Sequence, residues 1–462
     1  MSTQNDLSRK IKRLLPNPFI LNGKKFWDKL LSNKSEALWV FFGQTGTALG
    51  VLLGVKILTH ILNPLEFGRL SLANTIVILI GINLFGPISQ GLMRFWSISL
   101  ERGEKDTFVS AARQLSRLLI FILLIISLIF PILLFFTPWI DWMALLTISL
   151  ITGAITGWYG IKISILTAAR KRKFISIINT ANAFGKPIIA SIFILLIAAK
   201  ARWAMLGYLL TFIAAIYVLE KYYGKVLKTK DKPLGKPISD KKKCYRLMRE
   251  ILSFSGPFVI WGLFSWIHQS CDRWSLQAYH GAEVVGAFSV ITYLALYPLI
   301  FGSGFLSTLF MPIAYDRAGG LFSYQSVRSA NKILLVMTGI YGVGALLLVS
   351  FYSIFYQQLV LLISNPGYIR YAHLLPWLTV SWAFFYLGQM VLGFGFLLNK
   401  PRVYILPILV SAAVAASSTF YLSSISGPPG VVLGLGISGF VYALWCMVIA
   451  KRLLRSCALK VP

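Results

Sequence analysis

Apolar residues in this chain come in long unbroken runs, not in strict alternation or short amphipathic patches. Twelve runs approach the length that a bilayer core asks of a helix, about 20 residues. Their cores fall near 37–59, 70–92, 115–137, 142–168, 174–198, 203–220, 251–275, 283–311, 333–356, 372–398, 402–424 and 430–450. Backbone groups in lipid must be satisfied within their own segment, so every run is expected to be helical. The pattern predicts an all-α polytopic membrane protein with about twelve transmembrane helices. Composition agrees: of 462 residues, 57% are hydrophobic and only 13% are charged, against roughly a quarter in soluble domains. An ordinary soluble enzyme is excluded.

The charges are lopsided, with 45 Lys and Arg against 15 Asp and Glu, a net charge of +30. On so apolar a chain this points to topology and not to nucleic acid. If the twelve runs alternate in direction, the N-terminal tail, five connections and the C-terminal tail on one side collect 37 of the 45 basic residues. The largest share, eleven, lies between Lys221 and Arg249. The opposite side keeps few, such as Lys200, Arg202 and Arg370. Both termini are therefore expected in the cytoplasm, with the chain in the cell (inner or plasma) membrane. The expected division is a basic tail over 1–36, a six-helix bundle over 37–220, a basic linker over 221–250 and a second bundle with a short tail over 251–462. In the tail, Phe26, Trp27, Leu30 and Leu31 interleave with Lys24, Lys25 and Lys29, the pattern of a short interfacial helix. No secretory signal is read there, so the first apolar run is expected to stay as a span.

Enzymatic chemistry finds little support. Gly-Lys pairs at 23, 185, 224 and 235 are never followed by Ser or Thr, so no phosphate-cradling loop is present. Acids are scattered, and His60, His268, His280 and His373 form no ligand cluster in sequence. Cys244, Cys271, Cys446 and Cys457 lack metal or redox spacing and read as apolar filler. No cofactor and no enzyme activity are expected.

Ionisable groups at membrane depth are costly and mark function by default. Lys56, Arg94, Lys162, Lys186, Asp272, Arg273 and Glu283 are the candidates. Lys186 is the sharpest, at about the middle of its run and followed by Pro187, which frees backbone carbonyls and favours a kink. Lys56 and Lys162 lie nearer their run ends, where snorkelling explains them almost as well. Asp272 and Arg273 are adjacent and are expected on different helix faces. Asp272 reads as a coupling or a structural acid. A cavity lined mostly by cations calls for an anion. Trp158, Tyr159, Trp261, Trp266, Trp382 and Tyr386 offer faces for sugar rings, although packing and interface anchoring account for each of them too. Gly46, Gly50 and Gly54 repeat every four residues, the spacing that lets two helices approach closely.

The two halves also look alike where their second helix begins, at Asn63–Gly68 and at Gly281–Phe288. This predicts a parallel repeat about an axis along the membrane normal. The same residues carry a family resemblance. The stretch 56–95, through Pro64, Glu66, Phe67, Gly68, Gly91, Arg94 and Phe95, resembles the opening of polysaccharide flippases. These are the Wzx-like branch of the multidrug/oligosaccharidyl-lipid/polysaccharide exporter superfamily. The stretch 255–290 is similar to that branch's second half through Pro257, Asp272, Arg273, Leu276, Gly286 and Ser289. The stretch 167–180 resembles its basic fourth-to-fifth connection.

The resemblance implies two six-helix bundles around a central cavity, and a polyprenyl-diphosphate-linked oligosaccharide flipped from inner to outer leaflet by alternating access. Lys186, Arg94, Lys56, Arg273 and Lys162 would then attract the anionic head group. Membrane lipids, a polysaccharide polymerase and glycosyltransferases are the partners expected, and nucleic acid is not. Lys56 and Lys186 match no motif of that branch, so their roles rest on burial alone. The alternative is a cation-coupled multidrug exporter of the same superfamily, which the scarcity of mid-span carboxylates disfavours.

Overall fold

The structure, a computed structural model, describes residues 34–135, 142–227, 241–318, 324–398 and 400–458. Among them there are helices and turns but no strand. The helices are α1 (Lys34–Ile61), α2 (Pro64–Ile78), α3 (Phe85–Glu101), α4 (Lys105–Phe135), α5 (Met143–Ala168), α6 (Arg172–Leu196) and α7 (Ala201–Leu227). The second half holds α8 (Lys241–Ala318), α9 (Tyr324–Ile363), α10 (Leu375–Val391), α11 (Gly393–Leu397), α12 (Ile405–Ser426) and α13 (Pro428–Ala458).

Among the described residues, eleven stretches are long and apolar enough to cross a bilayer. One of them, Lys241–Tyr315, has 75 residues. At 1.5 Å per residue it would run to about 110 Å, far beyond a hydrocarbon core of roughly 30 Å. It breaks at Gly281, whose φ of 80° and ψ of 173° are open only to glycine. The limbs 241–280 and 282–318 are separate crossings, which makes twelve among the described residues. The helices overrun the expected cores. Residues 221–227 belong to α7 and 241–250 to α8, so only 228–240 of the expected linker lies between them. The proposed interfacial helix near Phe26 and Trp27 lies outside the described residues.

The second crossing joins α2 to α3 through a π-helical turn, Leu79–Leu84. Asn83 donates a side-chain hydrogen bond to the Ile78 carbonyl at 3.2 Å, which gives that carbonyl a partner where the regular ladder slips. Gly81 and Gly153 let this turn settle against α5, with Thr156 and Ile80 filling the space. The outward faces carry a broad apolar belt, with Leu128, Leu195, Leu196, Leu346 and Leu347 all strongly exposed. A surface of this kind needs lipid to cover it.

Helix neighbours repeat between the halves. In the first, α1 packs on α6, α6 on α7 and α7 on α5. In the second, α8 packs on α12, α12 on α13 and α13 on α10. The glycine stripe of α1 has α6 as its partner: Gly46 faces Thr180, Gly50 faces Ala183 and Gly54 faces the ring of Pro187. α6 runs on through Pro187. This seam fixes the rotation of α6 and so the direction taken by Lys186.

Candidate functional site

The crossings define two ends. One carries the basic connections and is called the basic end; the other holds the α1–α2 turn and Gly281. At that opposite end the two halves lock together. A Cβ on Gly68 would lie 1.7 Å from the Ala282 carbonyl oxygen, and one on Gly286 would lie 1.9 Å from that of Pro64. The backbones of α2 and of the second limb of α8 therefore touch. The contact is reciprocal: Gly68 and Ser71 stand four and seven residues after Pro64, as Gly286 and Ser289 do after Ala282. The two serine hydroxyls meet at 2.7 Å. Asn365 donates to the Thr59 carbonyl at 2.6 Å and Tyr368 to that of Leu62 at 2.8 Å, tying the α9–α10 connection to the same turn.

Local sequence explains this edge. Asn63 caps α2 by accepting from the Glu66 amide at 2.9 Å, and Pro64 occupies the first turn. Glu66 is buried, yet its carboxylate is well served. Arg69 donates to Oε1 at 2.9 Å, Lys200 stands 3.6 Å away, and the Ala201 amide at the start of α7 donates to Oε2 at 2.8 Å. An orphan helix-start donor and two cations meet one carboxylate.

Below this seal lies a small cavity of about 70 Å³ bounded by α1, α2, α6, α7 and α8. Lys186 lines it, together with Ser71, Asn74, Tyr208, Tyr293 and Tyr297. The Lys186 ammonium lies 5.3 Å from the ring centre of Phe212 and 5.9 Å from that of Tyr208. It makes no ion pair or hydrogen bond among the described residues. Aromatic faces soften the burial of that charge without neutralising it.

Two larger cavities continue towards the basic end. One, about 390 Å³, lies between α1, α6 and the second limb of α8, with Gln44, Arg172, Asn179 and Tyr297 in its wall. The other, about 610 Å³, lies in the second half and is lined by Trp261, Gln269, Tyr386, Gln389, Arg402 and Tyr404 among others. Tyr297 borders the first and the small cavity, and Gly304 borders both large ones. Lys186, Arg172 and Arg402 are the charged residues of all three linings; no Asp or Glu among the described residues lines them.

The structure draws some of the expected residues together and separates others. Arg273 is buried and sits 5.8 Å from the ring centre of Tyr293, the residue that also walls the Lys186 cavity. Asp272 is fully buried, and neither carboxylate oxygen accepts a hydrogen bond from the described residues. Asp272 and Arg273, expected on different faces, approach to 3.8 Å because the long guanidinium arm folds back along its own helix. Lys56 is exposed near the opposite end of α1 and does not line the Lys186 cavity. Arg94 is exposed on α3 and lines none of these cavities. Lys162 is buried elsewhere, 2.7 Å from Glu220 and 4.4 Å from the ring centre of Tyr223.

Of the aromatic candidates, Trp261 and Tyr386 line the large cavity of the second half. Trp382 is spent on packing against His268 and Phe385, and Trp266 on donating to the Thr75 carbonyl at 2.7 Å. Sequence reasoning missed Tyr208, Tyr293 and Tyr297. A signal was present: Ser289, Tyr293 and Tyr297 form a polar stripe at helical spacing inside an apolar run.

Comparison with known proteins places this architecture. No curated protein matches the chain. Among solved structures, an inward-facing multidrug resistance MATE family transporter of the MOP superfamily is similar with a TM-score of 0.63 at 14% identity, covering 92% of this chain and 96% of that one. An outward-facing MATE transporter of that superfamily gives a TM-score of 0.59 at 15% identity, over 92% and 95%. The Vibrio cholerae MATE transporter VcmN in its bent form gives 0.58 at 14%, over 93% and 99%. A model of the family described as polysaccharide biosynthesis protein matches residues 34–314. The fold is that of MOP-superfamily transporters, and the chain belongs to the polysaccharide biosynthesis protein family.

Proposed function

We propose that this membrane transporter moves an anionic lipid-linked oligosaccharide, of the polyprenyl-diphosphate class, from the leaflet at its basic end to the opposite leaflet by alternating access. The observation that carries the reading is the charge of the three neighbouring cavities: cations and, among the described residues, no carboxylate in the lining. Lys186, with Arg273 across Tyr293, would hold the diphosphate. The aromatic, amide and hydroxyl side chains of the larger chamber suit sugar rings, which present both apolar faces and hydroxyl edges. The basic end faces the cytoplasm under the positive-inside rule. A seal at one end and cavities reaching towards the other fit one stage of such a cycle.

An inside-negative membrane favours outward movement of an anion by about 2.3 kcal/mol per charge per 100 mV. Asp272, buried and with no hydrogen bond to its carboxylate among the described residues, is the candidate for coupling to a cation. The multidrug-exporter alternative draws on that same acid and on the shared fold. It lacks a carboxylate in the cavities to greet a cationic drug.

The test is reconstitution in vesicles with a fluorescent polyprenyl-diphosphate oligosaccharide and a reagent that reaches one leaflet only. Truncating one partner of a desolvated charge pair costs about 2–5 kcal/mol. Lys186→Ala is therefore expected to cut transport roughly 30-fold or more while the protein still inserts, and Lys186→Arg to keep most of it. Full activity in Lys186→Ala would remove that residue from the mechanism. Export of cationic dyes without movement of the lipid would favour the alternative.

A further inference from the structure

A separate groove of about 880 Å³ lies on the first half, between α4, α5 and α7, and shares no lining residue with the three cavities above. Its polar part holds Arg113, Arg117, Lys162 and Glu220, three cations against one acid, for a net charge of +2. Lys162 is tied to Glu220 and enclosed by the rings of Trp158 and Tyr223. Arg113 and Arg117 are four residues apart on one face of α4. Both are exposed, and neither has an acidic partner among the described residues. Two like charges on successive turns disfavour each other unless an anion sits between them.

The same face of α4 continues with Phe121 and Leu124, which also line the groove. Phe121 is 62% exposed and Leu124 is 42% exposed, within the apolar belt. The groove is thus graded along its length. Cations lie about 9–18 Å in from the helix ends, within reach of the interface for long side chains that extend their charge outward, and apolar side chains lie deeper. A water-soluble anion would satisfy only the first part. An amphiphile with a phosphate head and an acyl chain satisfies both.

We propose that this groove is a binding site for an anionic phospholipid of the leaflet at the basic end, distinct from the transport pathway. The head-group phosphate would bridge Arg113 and Arg117, with the Lys162 ammonium behind it, and one acyl chain would lie along Phe121 and Leu124. The site needs no transport to be tested.

The full-length protein in detergent is titrated with phosphatidylglycerol and, separately, with phosphatidylcholine, and retained lipid is counted by native mass spectrometry. The wild type is expected to hold phosphatidylglycerol in preference. Arg113→Gln combined with Arg117→Gln is expected to weaken that preference roughly 30-fold, the attraction that two basic side chains exert on anionic lipid. The combined Arg113→Lys and Arg117→Lys variant keeps the charge and should keep most of the binding, which separates lost charge from lost fold. Equal retention of both lipids by the wild type, or an unchanged preference in the double Gln variant, would overturn the proposal. So would full competition by soluble glycerol phosphate, which would mark a free-phosphate site in place of a lipid site.

Discussion

Gly68→Ala is the substitution whose outcome the geometry constrains most tightly. Helix propensity alone favours it by about 1 kcal/mol. Sterics oppose it: the added methyl would stand 1.7 Å from the Ala282 carbonyl oxygen, where real contacts do not fall below 3.0 Å. The two helices must part by at least about 1.3 Å, the difference between those distances. Ser71 is one turn further on, and its 2.7 Å hydrogen bond to Ser289 would then stretch to about 4.0 Å, past any useful length. Overpacking of this kind costs about 1–3 kcal/mol, and the lost bond adds about 0.5–1.5 kcal/mol. The propensity gain is common to the sealed and opened states and cancels between them, so the sealed state loses roughly 1.5–4.5 kcal/mol, a factor of about 10–2,000 in its population relative to an opened one.

The assay is thiol labelling by a reagent that cannot cross the membrane, supplied at the opposite end to an Asn74→Cys variant. Asn74 lines the Lys186 cavity beneath the seal. Labelling should be slow in the otherwise unchanged protein and faster by up to that factor when Gly68→Ala is added. Gly302→Ala, where an added Cβ meets nothing within 4 Å, is the control and should leave the rate alone. Identical labelling with and without Gly68→Ala would refute the claim that backbone contact between α2 and α8 closes this end.

Three further substitutions probe the same packing. Gly281→Ala should lower stability by about 1–3 kcal/mol, seen as a reduced thermal midpoint in detergent, since its φ of 80° and ψ of 173° suit glycine and the added atom itself meets open space. Gly157→Ala should cost a similar amount for the opposite reason, because its Cβ would meet the ring of buried Phe85 at 2.2 Å; a rise in the midpoint of either variant would contradict the packing described. Glu66→Ala should destabilise by about 2–3 kcal/mol, as it strands Arg69 and the Ala201 amide together, while Glu66→Gln should lose less in the same measurement.

The crossings were legible because hydropathy acts along the chain and a bilayer sets one length. The glycine stripe was legible as a contact, although its partner was not named in the sequence. What hydropathy does not encode is azimuth. Lys56, Arg94, Lys162 and Lys186 all read as cations within apolar runs, yet only Lys186 reaches the central cavity, because the α1–α6 seam turns it there. Lys162 instead found Glu220, whose place in a basic stretch gave no hint of a helix partner 58 residues earlier. The Tyr208, Tyr293 and Tyr297 wall comes from two helices far apart in sequence. The π turn at Leu79–Leu84 left no pattern to read, since it depends on how Gly81 and Gly153 settle between neighbours.

The reciprocal contact at the sealed end has a genealogical consequence. Were the two halves separate polypeptides, the contact would be isologous, with each copy presenting the same patch to its twin and the serine pair sitting on the dyad. A half-length ancestor encoded by one short gene could have closed this end by pairing with itself, before any fusion. The obstacle that each glycine avoids is a peptide carbonyl and not a side chain, so no compensating replacement on the facing helix can relieve it. Suppressors of Gly68→Ala should therefore arise away from Ala282 and Gly286, and the two glycines should persist or vanish as a pair.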